Sequence, residues 1–187
     1  MRQFLSVFVL ALLAPWANAY DAAVLSAHFS GCPDVNAGNC AHALVVDPQL
    51  EFADFSNADF TGVDFSHTSL SYANFDGAVL AGANMSGLYV YSFSVAGADF
   101  SGANLSNSHF QDVDFSQSLL ERVDFSNSYL SANFKGARLN GAVLSGVDFS
   151  IADWVGASMA GPDISGTYIN NVNMQNVDMS EVDFTAA

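Results

Sequence analysis

From Leu50 to Phe184 a large apolar residue recurs at every fifth position, and the run of 28 such positions slips phase once. The beat passes through Leu50, Phe55, Phe60, Phe65, Leu70 and Phe75, and continues by way of Phe100, Phe115 and Phe125 to Leu130. It shortens by one residue to Phe134, then resumes through Leu139, Leu144, Phe149 and Trp154 to Phe184. Two positions before the beat stands Ala, Ser, Thr or Val in 24 of the 28 cases. A five-residue period matches neither the helical 3.6 nor the strand's 2, so neither element would hold the beats on one side. A chain that turns a corner every five residues points each beat inward, with hydrogen bonds between coils about 4.8 Å apart. Self-similarity of this kind is the mark of a repeat architecture and leaves no room for a conventional catalytic domain.

The unit reads small-polar-large-Ser-polar, as in ADFSN, ADFTG, ANFDG, GADFSGANLSN and VDFSN. In these units the chain resembles the pentapeptide-repeat family, whose consensus is A(D/N)LXX, over residues 50 to 184. The resemblance implies an all-β fold, a right-handed quadrilateral parallel β-helix in which four units make one square coil. For this chain it implies about seven coils behind a small N-terminal cap. Seven coils at interstrand spacing would form a rod roughly 30 Å long. Buried beats contribute roughly 1.5–3 kcal/mol each, so the column is the expected main source of stability.

Residues 1–19 read as a secretory signal peptide: Arg2 near the start, an apolar stretch from Phe4 to Ala14, then Pro15 and the small-x-small site Ala17-Asn18-Ala19. Eleven apolar residues fall short of the roughly 20 needed to span a bilayer, so no membrane insertion is expected after cleavage. The expected destination is secreted, periplasmic or lumenal. Residues 20–49 form the expected cap and 50–187 the β-helix. Cys32 and Cys40 lie in the cap, and a close pair in an exported chain most often forms a disulfide. The alternative is a zinc site from His28, Cys32, Cys40 and His42, whose spacing matches no common zinc module.

Nucleic acid is excluded as a partner by charge. Without Arg2 the chain keeps Arg122, Lys135 and Arg138 against 19 acidic side chains, and phosphate contacts need clustered Lys or Arg. Eleven of the 19 acids stand one residue before a beat, so the repeat itself supplies most of the acidity. The rows Asp54, Asn74, Ser94, Asp114, Asn133, Asp153, Asn173 and Asp64, Asn84, Asn104, Asp124, Val143, Asp163, Asp183 follow if positions twenty apart stack. Such side chains hydrogen-bond local backbone at tight corners. Stacked carboxylates also invite weak calcium binding.

The row before Leu50, Leu70, Val90 and their successors departs from that pattern: Gln49, Ser69, Tyr89, His109, Tyr129, Asp148, Tyr168. Exposed Tyr89, His109, Tyr129 and Tyr168 form a candidate binding stripe for protein or carbohydrate, against the plainer reading that stacked rings only brace adjacent coils. Leu88 and Phe93 occupy positions that should be small, and overpacking there is expected to push the LYVYSFSV segment outward. No nucleophile elbow, phosphate-binding glycine loop or HExxH motif occurs, so no catalytic residue or cofactor is assigned. Only Thr185, Ala186 and Ala187 follow the last beat, so the coil holding Met174, Met179 and Phe184 is expected to be covered by a second copy or a partner protein. Three function classes remain: an exported non-enzymatic scaffold or protein-interaction module, a carbohydrate or cell-surface binder, and a DNA-mimicking gyrase inhibitor. Export argues against the last, since gyrase is cytoplasmic.

Overall fold

The computed structural model describes residues 22–149, 152–169, 172–180 and 182. The expected signal peptide and the last beat, Phe184, lie outside the described residues. Along the repeats most residues before a beat bridge in parallel to the counterpart twenty positions on, as in Asp54 to Asn74, Asp59 to Val79, Asp64 to Asn84 and Gln49 to Ser69. Such bridges are closed by reciprocal pairs of backbone bonds. The Phe55 amide donates to Asn74 O at 2.7 Å, and the Asn74 amide donates to Ala53 O at 2.9 Å. The result is a β-helical solenoid with little helix.

Every beat from Leu50 to Ile164 is buried. Rings stack between levels, Phe115 on Phe134 at 5.1 Å and Phe134 on Trp154 at 4.1 Å, while neighbours within a level meet edge to face, as Phe60 meets Phe65. The small residue two before the beat also faces the core. Where it is serine, its hydroxyl donates to a carbonyl of the preceding level: Ser108 to Met85, Ser118 to Val95 and Ser128 to Leu105. That satisfies a polar group in an apolar column and explains why the position accepts Ser as readily as Ala.

Longer strands form where the outward row is aromatic. Strand β3 (Tyr89–Tyr91), β4 (His109–Asp114) and β5 (Tyr129–Asn133) make a parallel sheet in that order. The phase slip is absorbed between the last two: Gln111 faces Ser131, Val113 faces Ala132, and Asp112 is left over in a bulge at φ 56°. Pairs then run nineteen apart, from Leu119 to Arg138 and Tyr129 to Asp148, until Asn133 to Asp153 restores twenty.

The LYVYSFSV segment corrects one expectation. It does not loop out: β3 pairs in plain register with β4, and both Leu88 and Phe93 are buried. The reason is volume exchange. Val90 and Val95 replace larger beats at this level, and Phe93, between Ala73 and Val113 in its column, fills the space against Phe75 at 5.3 Å.

Before the repeats lie α1 (Ala22–His28) and a short antiparallel pair, β1 (Phe29–Ser30) with β2 (Leu44–Val45). Leu25 and Phe29 are buried, and the Phe29 ring meets Phe55, Phe60 and Phe65 within 6 Å, closing the top of the column. The Cys32–Cys40 disulfide ties this segment together. With both sulfurs bonded to each other, the four-ligand zinc reading is set aside.

Candidate functional site

The corners position the surface. Two residues after a beat the backbone usually turns through positive φ, a conformation that glycine adopts freely and that Asn tolerates. At Phe52 (φ 62°) and Tyr72 (φ 65°) the same corner is held by aromatic residues. These two rings lie one above the other, with centroids 4.9 Å apart and planes within 3° of parallel. They are 72% and 53% exposed. Nothing in the packing of the core requires them.

Beside this pair runs the outward row of the β3–β4–β5 sheet. Tyr89 stacks on His109 at 4.3 Å and His109 on Tyr129 at 4.5 Å, following the register of the strands. Tyr91, two residues along β3, joins this row: its hydroxyl donates to that of Tyr89 at 2.8 Å. That hydrogen bond and the neighbouring phenols Tyr89 and Tyr72 raise the pKa of Tyr91 above the ordinary phenol value. The Tyr72 amide donates to Tyr91 O, which sets the corner pair of rings beside the strand group of four on one surface, an aromatic band in two parts.

Of the sequence-derived stripe, Tyr89, His109 and Tyr129 are thus brought together. Tyr168 belongs to the same ladder but is separated from Tyr129 by Asp148, and is 64% exposed. Phe52, Tyr72 and Tyr91 were not among the sequence candidates. Their signal was present: at 52 and 72 an aromatic stands where the repeat otherwise favours Gly or Asn. Phe55, Phe60, Phe65, Phe75, Phe100, Phe115, Phe125, Phe134, Phe149 and Trp154 all lie in the core.

The Asp/Asn rows serve the corners. Asp54, Asp59, Asn74, Asn104, Asp114 and Asp153 each accept the amide two residues on through Oδ1. Asn also links levels: Asn74 donates to Asp54, Asn84 to Asp64 and Asn133 to Asp114. Alternation of Asp with Asn therefore converts carboxylate repulsion into hydrogen bonds without a cation. Among the described residues no cluster of His, Cys, Asp or Glu has the geometry to hold a metal ion. Nor does any described helix have the length and apolarity to cross a membrane.

The family model for pentapeptide repeats matches the chain in eight copies, over residues 49–87, 98–132 and 131–166. No curated protein sequence matches. Among solved structures, the pentapeptide repeat protein Rfr23 from the cyanobacterium Cyanothece 51142 is 22% identical, over 59% of this chain and 63% of its own, with a TM-score of 0.33. The chain therefore spans less than two thirds of that protein. HetL from Nostoc sp. strain PCC 7120, a pentapeptide repeat protein involved in heterocyst differentiation regulation, is 21% identical, over 70% of this chain and 82% of its own, with a TM-score of 0.24. Full-length QnrB1, a plasmid-mediated fluoroquinolone resistance protein, is 21% identical, over 71% of this chain and 84% of its own, with a TM-score of 0.27. The weight rests on the family model, which covers more than half of the chain.

Proposed function

The chain belongs to the pentapeptide-repeat family, and on that footing we propose that it is an exported, non-enzymatic scaffold that binds a partner protein through its aromatic band. The fold that fits this reading is a right-handed quadrilateral β-helix of about seven coils, with 28 beats taken four to a coil. The observation that carries the function is the pair of adjoining ring groups, Phe52–Tyr72 and Tyr91–Tyr89–His109–Tyr129, of which Phe52, Tyr72 and Tyr89 are exposed and the others half-buried on one side of a rigid frame. Exposed aromatics at rigid positions supply large contact area at little entropic cost, the usual chemistry of a protein-binding patch. Two of them hold a left-handed backbone that glycine would relieve, and strain kept at an exposed site is more readily explained by binding than by folding.

Carbohydrate binding is the weaker reading. A sugar stacks on a free ring face, whereas the inner faces of Tyr89 and Tyr129 are both spent on His109. Export is supported by the leader-like sequence of residues 1–19 and by the Cys32–Cys40 disulfide, a bond suited to an oxidising compartment. The deciding experiment is a pull-down from extracts of the compartment to which the protein is exported. The variant Tyr89→Ala/His109→Ala/Tyr129→Ala should lose a partner protein that the parent and Tyr168→Ala both recover. Equal recovery by all three would overturn the assignment.

Self-association has one observation in its favour. Val172, Met174, Val177 and Met179 are only partly buried, where equivalent residues of preceding levels are closed off from solvent. A second copy stacked on this end would cover them; sedimentation of a strictly monomeric species at micromolar concentration would refute it.

A further inference from the structure

The cap completes the top of the ladder unevenly. It supplies a parallel rung above Asp59, through Asn39, and another above Ser69, through Gln49. It supplies none above Asp64, because Leu44 and Val45 turn away to pair antiparallel with Ser30 and Phe29. One level down, the Asn84 amide donates to Val63 O at 3.0 Å and Asn84 O accepts from the Phe65 amide at 2.7 Å. Asp64 has neither bond: among the described residues no backbone group from the cap side pairs with its N–H or its C=O.

The gap opens into a cleft of about 440 Å³ between His42, Leu44, Val45 and Pro48 on the cap side and Asp64 and His67 on the coil side. That volume is in the range of ligand-binding pockets. Its walls are of two kinds. Leu44, 70% exposed, and Pro48 offer apolar surface, while Asp64 offers a carboxylate. The carboxylate is ionised, with its pKa held below the ordinary 3.8 by the Ser66 amide and hydroxyl, the Asn84 amide and nearby His67. The whole chain is strongly acidic, at a formal −15, so the cleft sits in a field that attracts cations.

We propose that this cleft binds an extended peptide segment carrying a lysine or arginine, whose backbone supplies the missing rung over Asp64 and whose cationic side chain pairs with the Asp64 carboxylate. A backbone N–H and C=O left unpaired at a β-edge are the groups that strand addition satisfies, and alternate side chains of the added strand then read the flanking walls. In this arrangement one side chain meets Leu44 and Pro48 while its neighbour reaches Asp64. This site is separate from the aromatic band and stands or falls independently of it.

The test uses the full chain, ¹⁵N-labelled, and a defined probe, an acetylated and amidated heptapeptide of alternating lysine and valine. The probe should slow hydrogen exchange of the Asp64 amide at least tenfold and leave the already paired Asn84 amide unchanged. The same heptapeptide N-methylated at alternate residues keeps the side chains and carbonyls but removes the donors to Asp64 O and crowds the edge, and should therefore protect the Asp64 amide several-fold less. Asp64→Asn keeps a side chain that serves this corner elsewhere, as Asn84 does through its bond from the Ser86 amide, and should weaken the probe at least threefold. The proposal is overturned by unaltered Asp64 exchange at millimolar probe, by equal protection from the methylated peptide, or by undiminished affinity in Asp64→Asn.

Discussion

Replacing Phe52 and Tyr72 together by glycine separates a binding role from a structural one. A non-glycine residue held near φ +60° costs about 1–2 kcal/mol relative to right-handed backbone. Glycine removes that strain but loses about 0.5–1 kcal/mol through its greater freedom in the unfolded chain. Relief at the two corners is therefore about 1–2 kcal/mol in total. Against it stands one ring stack, worth about 0.5–1.5 kcal/mol, and little burial, since the rings are 72% and 53% exposed. The double variant should unfold within about 1 kcal/mol of the parent, or within about 4 °C in Tm for a chain of this length. Phe75→Ala, with the side chain fully buried between levels, should lose about 3–5 kcal/mol in the same urea titration followed by far-UV circular dichroism. Near-parental stability in the glycine pair, together with loss of the partner in the pull-down, is the expected result. A loss above about 2 kcal/mol would show that the pair supports the corner, and the strain argument would fail.

Four further outcomes follow from particular contacts. Phe93→Ala restores the small residue that the repeat favours, yet it should destabilise by about 3–5 kcal/mol in chemical denaturation, because the ring fills space that Val90 and Val95 leave. Among the described residues the buried indole N–H of Trp154 has no acceptor; Trp154→Phe should therefore lie within about 1 kcal/mol of the parent, the lost volume offset by removal of an unsatisfied donor. Asp64 has its pKa lowered in the folded state, so its contribution is present above about pH 4 and is lost as pH falls below it; Asp64→Asn should flatten that part of the acid-stability profile measured by urea midpoint. Millimolar calcium or chelator should leave Tm unchanged, because the Asp ladders are already bridged by Asn74, Asn84 and Asn133.

Much of the surface was also legible before the structure, but unevenly. The Tyr89–His109–Tyr129 row could be written down because twenty-residue stacking converts a list of positions into neighbours. Tyr91 escaped because it lies one residue past a beat, where Ser is usual and outward direction is not distinctive. Phe52 and Tyr72 escaped because the reading followed the residue before the beat and not the corner after it. Phe93 was misjudged because a rule for single positions ignored the valines at Val90 and Val95. Core volume is conserved over a whole level, so a large residue at a small position is read only together with its neighbours.

The five-residue beat by itself determined the column of buried Leu and Phe, the parallel pairing at twenty residues and the Asp/Asn corners, since all three follow from a period that brings equivalent residues into register. Tertiary structure decided where that regularity ends. It placed the phase slip in a bulge at Asp112, set two groups of rings side by side through the Tyr72 amide bond to Tyr91 O, and left Asp64 without a rung beneath the turned-away β2. Each of these depends on what a neighbouring level or the cap does at that height. A local repeat carries no record of its neighbours, so only the assembled coils could reveal them.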